Sequence, residues 1–365
     1  MKVSKIPGLG RFGIYIDDID FNTMTNEEWM EIGQLHLQNL VTVMRNTNLT
    51  KDKQVDFTHR FGDSRFGTKN YFVNKYNMPW DFIITLTMID SPDISAKDRR
   101  IVKGCMSTLE QTAGGYVGRV SGGYDKDGNP LGFFAEGELD WHSNESGTLT
   151  YSPGVSLFAA KNVEGSATCF LTTTDYYESV PDSFRRELDN MILIHNFTPG
   201  KINPGLNADQ DEIMNVNMCP YDGKEIPMVI TSPGGIKGLH YSVNTAWSIK
   251  GMSKAESDEV FARIDKELFV DKYMYEHWYK GTGDFLLFDN SITLHKRLGN
   301  IKDRLCYRLQ HDYTNLQDGA WLPYSQPDIA RQYRKEIRNF VKAAEIKDFK
   351  LPPRKLIDYI PFLNK

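Results

Sequence analysis

GDFLLFDNSITLHKRLGNIKDRLCYRLQHDY, residues 283–313, contains two runs rich in apolar, aromatic and β-branched residues, GDFLLFDNSITLH and RLCYRLQHDY, parted near Gly299-Asn300. Runs of this kind bounded by turn residues have the texture of strands. The same texture begins near residue 147, where GTLTY, GVSLFAAKN and ATCFLTTT are divided by Pro153-Gly154 and Gly165-Ser166, pairs suited to chain reversal. Two helical patterns interrupt the series. SVPDSFRRELDNMI has Ser179 as a cap and Pro181 near its first turn, and in SKAESDEVFARIDKELF Ser253 and Glu256 form a capping box. Strands broken by long helices, without βαβ alternation, predict a mixed α and β chain: a β-sandwich or barrel with helices packed outside.

Upstream, TNEEWMEIGQLHLQNLVTVMR opens with a second capping box, Thr25 and Glu28, and carries apolar residues at helical intervals. TKDKQVDFTHRFG reads as another helix, from Thr50 to a stop at Gly62, and residues 63–80 read as a loop or lid. There is no internal repeat, low-complexity tract or linker. Residues 1–365 are therefore expected to form a single domain, with amino-terminal helices over about 25–62 and helical insertions over about 179–195 and 253–275.

The chain is 40% apolar and 25% charged, a globular composition, and its net charge of −5 comes with mixed signs and no basic stripe. Nucleic acid is thus an unsuited partner, and a small molecule is expected. Cys105, Cys169, Cys219 and Cys306 lie far apart without CxxC spacing, and MKVSKIPGLG lacks a signal-peptide core, so the expected compartment is the reducing cytoplasm. Without a secretory signal, the N-x-[ST] matches at Asn48, Asn144 and Asn196 read as accidental, and no run of about 18 apolar residues is present to span a bilayer. GLGRFG, residues 8–13, has the letters of a dinucleotide fingerprint but precedes the strand-like IYIDDIDF instead of following a strand and opening a helix. It is read as a turn.

Of the eight histidines, His36, His59 and His277 fall on or beside expected helices and read as packing residues, while His195, His240 and His311 fit either a core or a pocket. His142, in LDWHSNESG, and His295, at the end of a strand-like run, remain as metal-ligand candidates. Two imidazoles and one carboxylate would suit iron, and imidazole equally suits zinc, copper or nickel.

WHSNESGTLTYSPGVSLFAAKNVEGSATCFLTTTDYYESVPDSFRREL and GDFLLFDNSITLHKRLGNIKDRLCYRLQ together resemble the taurine dioxygenase family of Fe(II)- and 2-oxoglutarate-dependent oxygenases, and VDFTHRFG resembles the same family's opening. The resemblance covers roughly residues 25–315, loosely between about 200 and 250. It implies a double-stranded β-helix, or jelly-roll, core with flanking and inserted helices, and a need for Fe(II), 2-oxoglutarate and O2. His142 and His295 match the two histidine ligands; Arg304 and Thr168 match the residues that hold the far carboxylate of 2-oxoglutarate. Arg308 falls where a second guanidinium serves substrate or cosubstrate. The family is commonly oligomeric, which leaves a homo-oligomer open.

Two residues after His142 the family places aspartate or glutamate, but this chain has Asn144. Four readings stay open. Asn144 ligates weakly or stands aside; Glu145 swings in; a halide takes the place, as in relatives that halogenate; or the site is retired and the barrel only binds. Asp140 is expected to orient His142. Asn70, Tyr71 and Lys75 in the lid stretch, with His240 and Tyr241, are candidates for the substrate pocket. The expected activity is hydroxylation of a C–H bond in a small polar or zwitterionic metabolite, with a halogenase-like variant or a non-catalytic binding protein as alternatives.

Overall fold

The computed structural model describes residues 1–62, 64–65, 67–112, 115–128, 130–132, 134–135, 137–148, 151–196 and 223–322, with the backbone alone at 64–65, 67–70 and 81. In chain order, β1 (Lys2–Lys5) and β2 (Ile14–Asp17) precede α1 (Asn26–Asn39), β3 (Val41–Met44) and α2 (Lys51–His59). β4 (Ser64–Arg65) leads into α3 (Gly67–Tyr76), α4 (Trp80–Met88) and α5 (Ala96–Ser107). Then come β5 (Leu109–Thr112), β6 (Gly115–Ser121), β7 (Leu139–His142), β8 (Gly154–Lys161), β9 (Ser166–Thr172), α6 (Thr174–Ser179), α7 (Asp182–Asn190) and β10 (Ile192–His195). β11 (Lys224–Pro227), β12 (Val229–Thr231), β13 (Lys237–Leu239) and β14 (Ala246–Ile249) precede α8 (Lys254–Leu268), β15 (Met274–Trp278), β16 (Phe285–Asp289), β17 (Thr293–Gly299) and β18 (Leu305–His311).

Two large sheets carry the architecture. One runs β1-β2-β3-β16-β8-β18-β6-β5, with β4 paired to β18; the other runs β15-β9-β17-β7. Every residue of β16 is buried, because each face of the strand meets a different layer. Phe285 and Leu287 point outward into a cluster with Trp29, Ile32, Val55 and Phe57 of α1 and α2, while Leu286 and Phe288 point inward with Val155, Leu157 and Phe170. The period of two in strand side chains therefore sorts one apolar run into two cores. The second sheet is sorted likewise: Ala167, Cys169, Leu171 and Leu294 face α6, α7 and α8, and Phe170 faces Phe288 at 5.2 Å between ring centroids.

Both expected capping boxes form, Thr25 with Glu28 and Ser253 with Glu256. Four expected boundaries are corrected. The first helix stops at Asn39, and VTVM becomes β3, where β-branched Val41, Thr42 and Val43 fit a fully buried strand. The 179–195 insertion ends as strand β10, and the 253–275 insertion ends at Leu268, so that His277 sits on β15. Part of the 63–80 stretch is helix α3, which joins α4 and α5 around an apolar cluster of their own (Phe72, Trp80, Ile83, Ile101). GLGRFG connects β1 to β2 and opens no helix. No helix among the described residues is long and apolar enough to cross a membrane. Cys105, Cys169 and Cys306 are unbridged, and Cys219 lies outside the described residues.

Candidate metal centre

Strands β7 and β17 pair antiparallel with His142 directly opposite His295. Cross-strand partners share a face, and here the ring centroids are 4.2 Å apart. Phe288 walls the inner side, 4.7 Å from the His295 ring. His142 Nδ1 lies 2.6 Å from the Asp140 carbonyl oxygen, which can only accept, so the proton sits on Nδ1 and Nε2 keeps its lone pair. Asp140 thus meets this ring through its main chain. Its carboxylate, expected to do so, accepts from the Trp141 amide instead. Burial pushes His142 down to about 4 despite that carbonyl, with Arg308 and Arg297 adding positive field; burial, then His142 and Arg308, pushes His295 down as well. Both imidazoles are neutral near pH 7, the state a metal requires.

Asn290 fixes the segment after His142. Its Oδ1 accepts from the Asn144 amide at 2.8 Å, and its Nδ2 donates to the carbonyls of Asn144 and Ser152 at 2.9 and 2.8 Å. Asp289, raised to about 7 by burial against the opposing backbone bonds, accepts from the Ile292 and Ser291 amides and shapes the turn between β16 and β17. His240 ties the same two loops, donating from Nδ1 to the Ser291 carbonyl at 2.7 Å and accepting at Nε2 from Ser146 Oγ at 3.1 Å.

The Asn144 carboxamide accepts at Oδ1 from Arg308 Nη1 at 3.4 Å, and Glu145 Oε1 accepts from Gln310 Nε2 at 2.8 Å. Glu145 takes a left-handed backbone, φ +59. Among the described residues, no group of three or more His, Cys, Asp or Glu is arranged to hold a metal.

At the other end of the histidine face, Thr168 of β9 stands opposite Arg297 of β17, and its Oγ1 lies 2.8 Å from the Tyr279 hydroxyl. Arg304 is 2% exposed, its guanidinium 5.3 Å from the Tyr279 ring centroid, and its Nε and Nη1 have no hydrogen-bond partner among the described residues. Arg297 donates to the carbonyls of Phe134 and Gly137; burial and the Arg304 charge push it down to about 10. Buried donors without acceptors are costly, and a carboxylate would satisfy those of Arg304. The paired neutral imidazoles and this cationic recess therefore fit a divalent metal and an organic acid, with two protein nitrogens as metal ligands.

The expected substrate contacts are dispersed. Tyr241 donates to Asp265 at 2.9 Å in the core beside Phe261, and both ring nitrogens of His240 are engaged in the loop ties. Lys75 pairs with Asp98 at 2.8 Å, Tyr71 packs edge-on to Phe72, and the side chain of Asn70 lies outside the described residues. Tyr279, Arg297 and Asn290 were missed as site residues. Arg297 carried a usable signal, since i and i+2 on a strand share a face with His295.

Residues 3–310 match the family model described as taurine catabolism dioxygenase TauD, TfdA family. The chain belongs to this family. As a TauD/TfdA-family protein it is a 2-oxoglutarate-dependent dioxygenase, with Fe(II), 2-oxoglutarate and O2 as its requirements. Among solved structures, it is similar to that of AAD-2 in complex with Mn(II) and N-oxalylglycine: 20% identity, TM-score 0.59, covering 84% of this chain and 97% of the other. It is also similar to a taurine dioxygenase from Burkholderia xenovorans, at 18% identity and TM-score 0.57 over 85% of this chain and 89% of the other. A search of curated proteins gives no match.

Proposed function

We propose that this dioxygenase hydroxylates a C–H bond of a small polar or zwitterionic metabolite, on a jelly-roll core whose mouth lies at the His142–His295 pair. The carrying observation is that pair, in direct register with ring centroids 4.2 Å apart, with His295 on the strand whose Arg297 feels the charge of Arg304, and with Nε and Nη1 of Arg304 buried and unpartnered among the described residues. On this reading, His142 and His295 hold Fe(II). Arg304 and Thr168 take the far carboxylate of 2-oxoglutarate, for which a planar guanidinium supplies two parallel bonds. When bound, iron and 2-oxoglutarate supply the oxidising power for C–H oxidation, with succinate and CO2 as coproducts.

The chain contributes position and enclosure. Asn290 and His240 hold the loops that carry Asn144 and precede His295, so the two imidazoles keep their register. Phe288 and Phe170 keep water from the inner wall. Arg308, near the histidines, suits an anionic substrate group. A halogenase-like outcome is a second reading, favoured by the amide at position 144. The absence of a disulfide among Cys105, Cys169 and Cys306 suits a cytoplasmic setting.

The test is anaerobic addition of Fe(II) and 2-oxoglutarate, followed by O2 with amino acids, sulfonates and betaines. A visible charge-transfer band and substrate-stimulated succinate support the reading; no band and no succinate overturn it and leave a binding protein.

A further inference from the structure

Tyr279 follows β15, and the register of three strands gives its depth. His295 of β17 pairs with Phe170 of β9; two residues further along, Arg297 pairs with Thr168, which on its other side faces His277 of β15. Cross-strand partners share a face, so Arg297, Thr168 and His277 form a row about 7 Å beyond the histidine pair, two strand residues at roughly 3.4 Å each. Tyr279 stands one row further out. Its amide donates to the Ser166 carbonyl at 3.1 Å, while its hydroxyl turns back to Thr168 Oγ1 at 2.8 Å.

The ring has no room to retreat. It is 3% exposed, within the inner apolar cluster that holds Leu157, Val163 and Cys306, and it meets the His277 ring edge-on at 4.9 Å. His277 is itself fixed at both nitrogens, Nδ1 lying 3.0 Å from the Tyr275 hydroxyl and Nε2 2.8 Å from Asp284 Oδ2. The Arg304 guanidinium lies over the Tyr279 ring. Tyr279 is thus a braced wall on the side of Thr168 and Arg304 away from the histidines. Its hydroxyl and that of Thr168 carry one proton each; one is shared between them and the other is left for an acceptor outside the pair.

Taking this recess as the seat of the far carboxylate of 2-oxoglutarate, on which this rests, we infer that Tyr279 sets the length of 2-oxo diacid the site accepts. Its ring ends the recess, so a chain longer by one methylene finds no room, and its hydroxyl orients Thr168 toward the carboxylate.

The test titrates the full chain under anaerobic Fe(II) with 2-oxoglutarate and with 2-oxoadipate, which has one more methylene, reading the charge-transfer band and the ligand-induced rise in unfolding temperature. Wild type should prefer 2-oxoglutarate by roughly 10- to 200-fold, the range one methylene commands in a fitted pocket. Tyr279→Leu, which removes the wall, should erase most of that preference by tightening 2-oxoadipate; a merely structural tyrosine would weaken both acids alike. Tyr279→Phe, which keeps the ring, should retain the preference and weaken both acids roughly 3- to 10-fold, the effect of one hydrogen bond. Equal binding of the two acids by wild type, an unchanged preference in a folded Tyr279→Leu, or full 2-oxoglutarate affinity in Tyr279→Phe overturns the inference and leaves the oxygenase reading intact, since each requires the band to form. If Tyr279→Leu does not fold, the wild-type preference and the Tyr279→Phe loss decide. No band with either acid in wild type overturns both.

Discussion

Replacing Arg304 with methionine should separate ligand binding from folding. The guanidinium is almost fully buried, two of its nitrogens have no hydrogen-bond partner among the described residues, and its charge adds to burial in lowering the pKa of Arg297. A carboxylate received by those two nitrogens makes two charge-assisted hydrogen bonds, each contributing about 1.5–3 kcal/mol. Their loss should therefore weaken 2-oxoglutarate by about 3–6 kcal/mol, or roughly 150- to 25,000-fold. The unliganded fold should be no weaker, because a buried cation with unmet donors is replaced by an apolar chain of similar reach. The assay is thermal unfolding with and without 2-oxoglutarate under anaerobic Fe(II), beside titration of the charge-transfer band. Wild type should gain stability from the ligand, and the variant should not. Binding within ten-fold of wild type, or a marked loss of stability without ligand, would refute the assignment of this recess to the cosubstrate.

Three further outcomes are expected. Phe57→Ala empties the layer between α2 and β16, where Phe57 packs edge-on to Phe285 and Phe21, and should cost about 3–5 kcal/mol in urea unfolding. Asn290→Ala removes three bonds to the backbone around Asn144 and Ser152, and should lower Fe(II) affinity by about 10- to 100-fold in a competition titration. Burial holds His36 near 3 and His240 near 4, below an ordinary 6.5, so between those values the unfolded chain binds protons that the folded one refuses. Stability should thus be complete above about 6.5 and fall as pH drops through that window, by about 1.4 kcal/mol per unit for each group; urea midpoints flat from pH 7 to 5 would contradict it.

The strands of the two inner layers were legible because turn pairs such as Pro153-Gly154 bound apolar runs, and the two capped helices because Thr25 and Ser253 have glutamates three residues on. The α3–α5 unit was obscured because its helices draw on a private apolar cluster and on the pairing of exposed Lys75 with buried Asp98, which no local pattern displays. β15 was hidden because FVDKYMYEHWYK, residues 269–280, mixes charged and aromatic residues with no Gly or Pro to mark where the helix ends and the strand begins. At the site, residue type nominated His142 and His295, but only register brings them together across 153 positions of chain, the difference of their numbers. Lys296 and Arg297 are adjacent basic residues that residue type alone does not tell apart. The pleat in fact divides them, with Lys296 lying outside over Trp141 and Arg297 inside.

Asn290 grips position 144 only by its peptide atoms. Whatever side chain stands there is a passenger on a scaffold secured from elsewhere, so lineages can exchange it without rebuilding the socket. One codon then suffices to retune the centre's charge, and catalytic repertoire can drift while the architecture stays still.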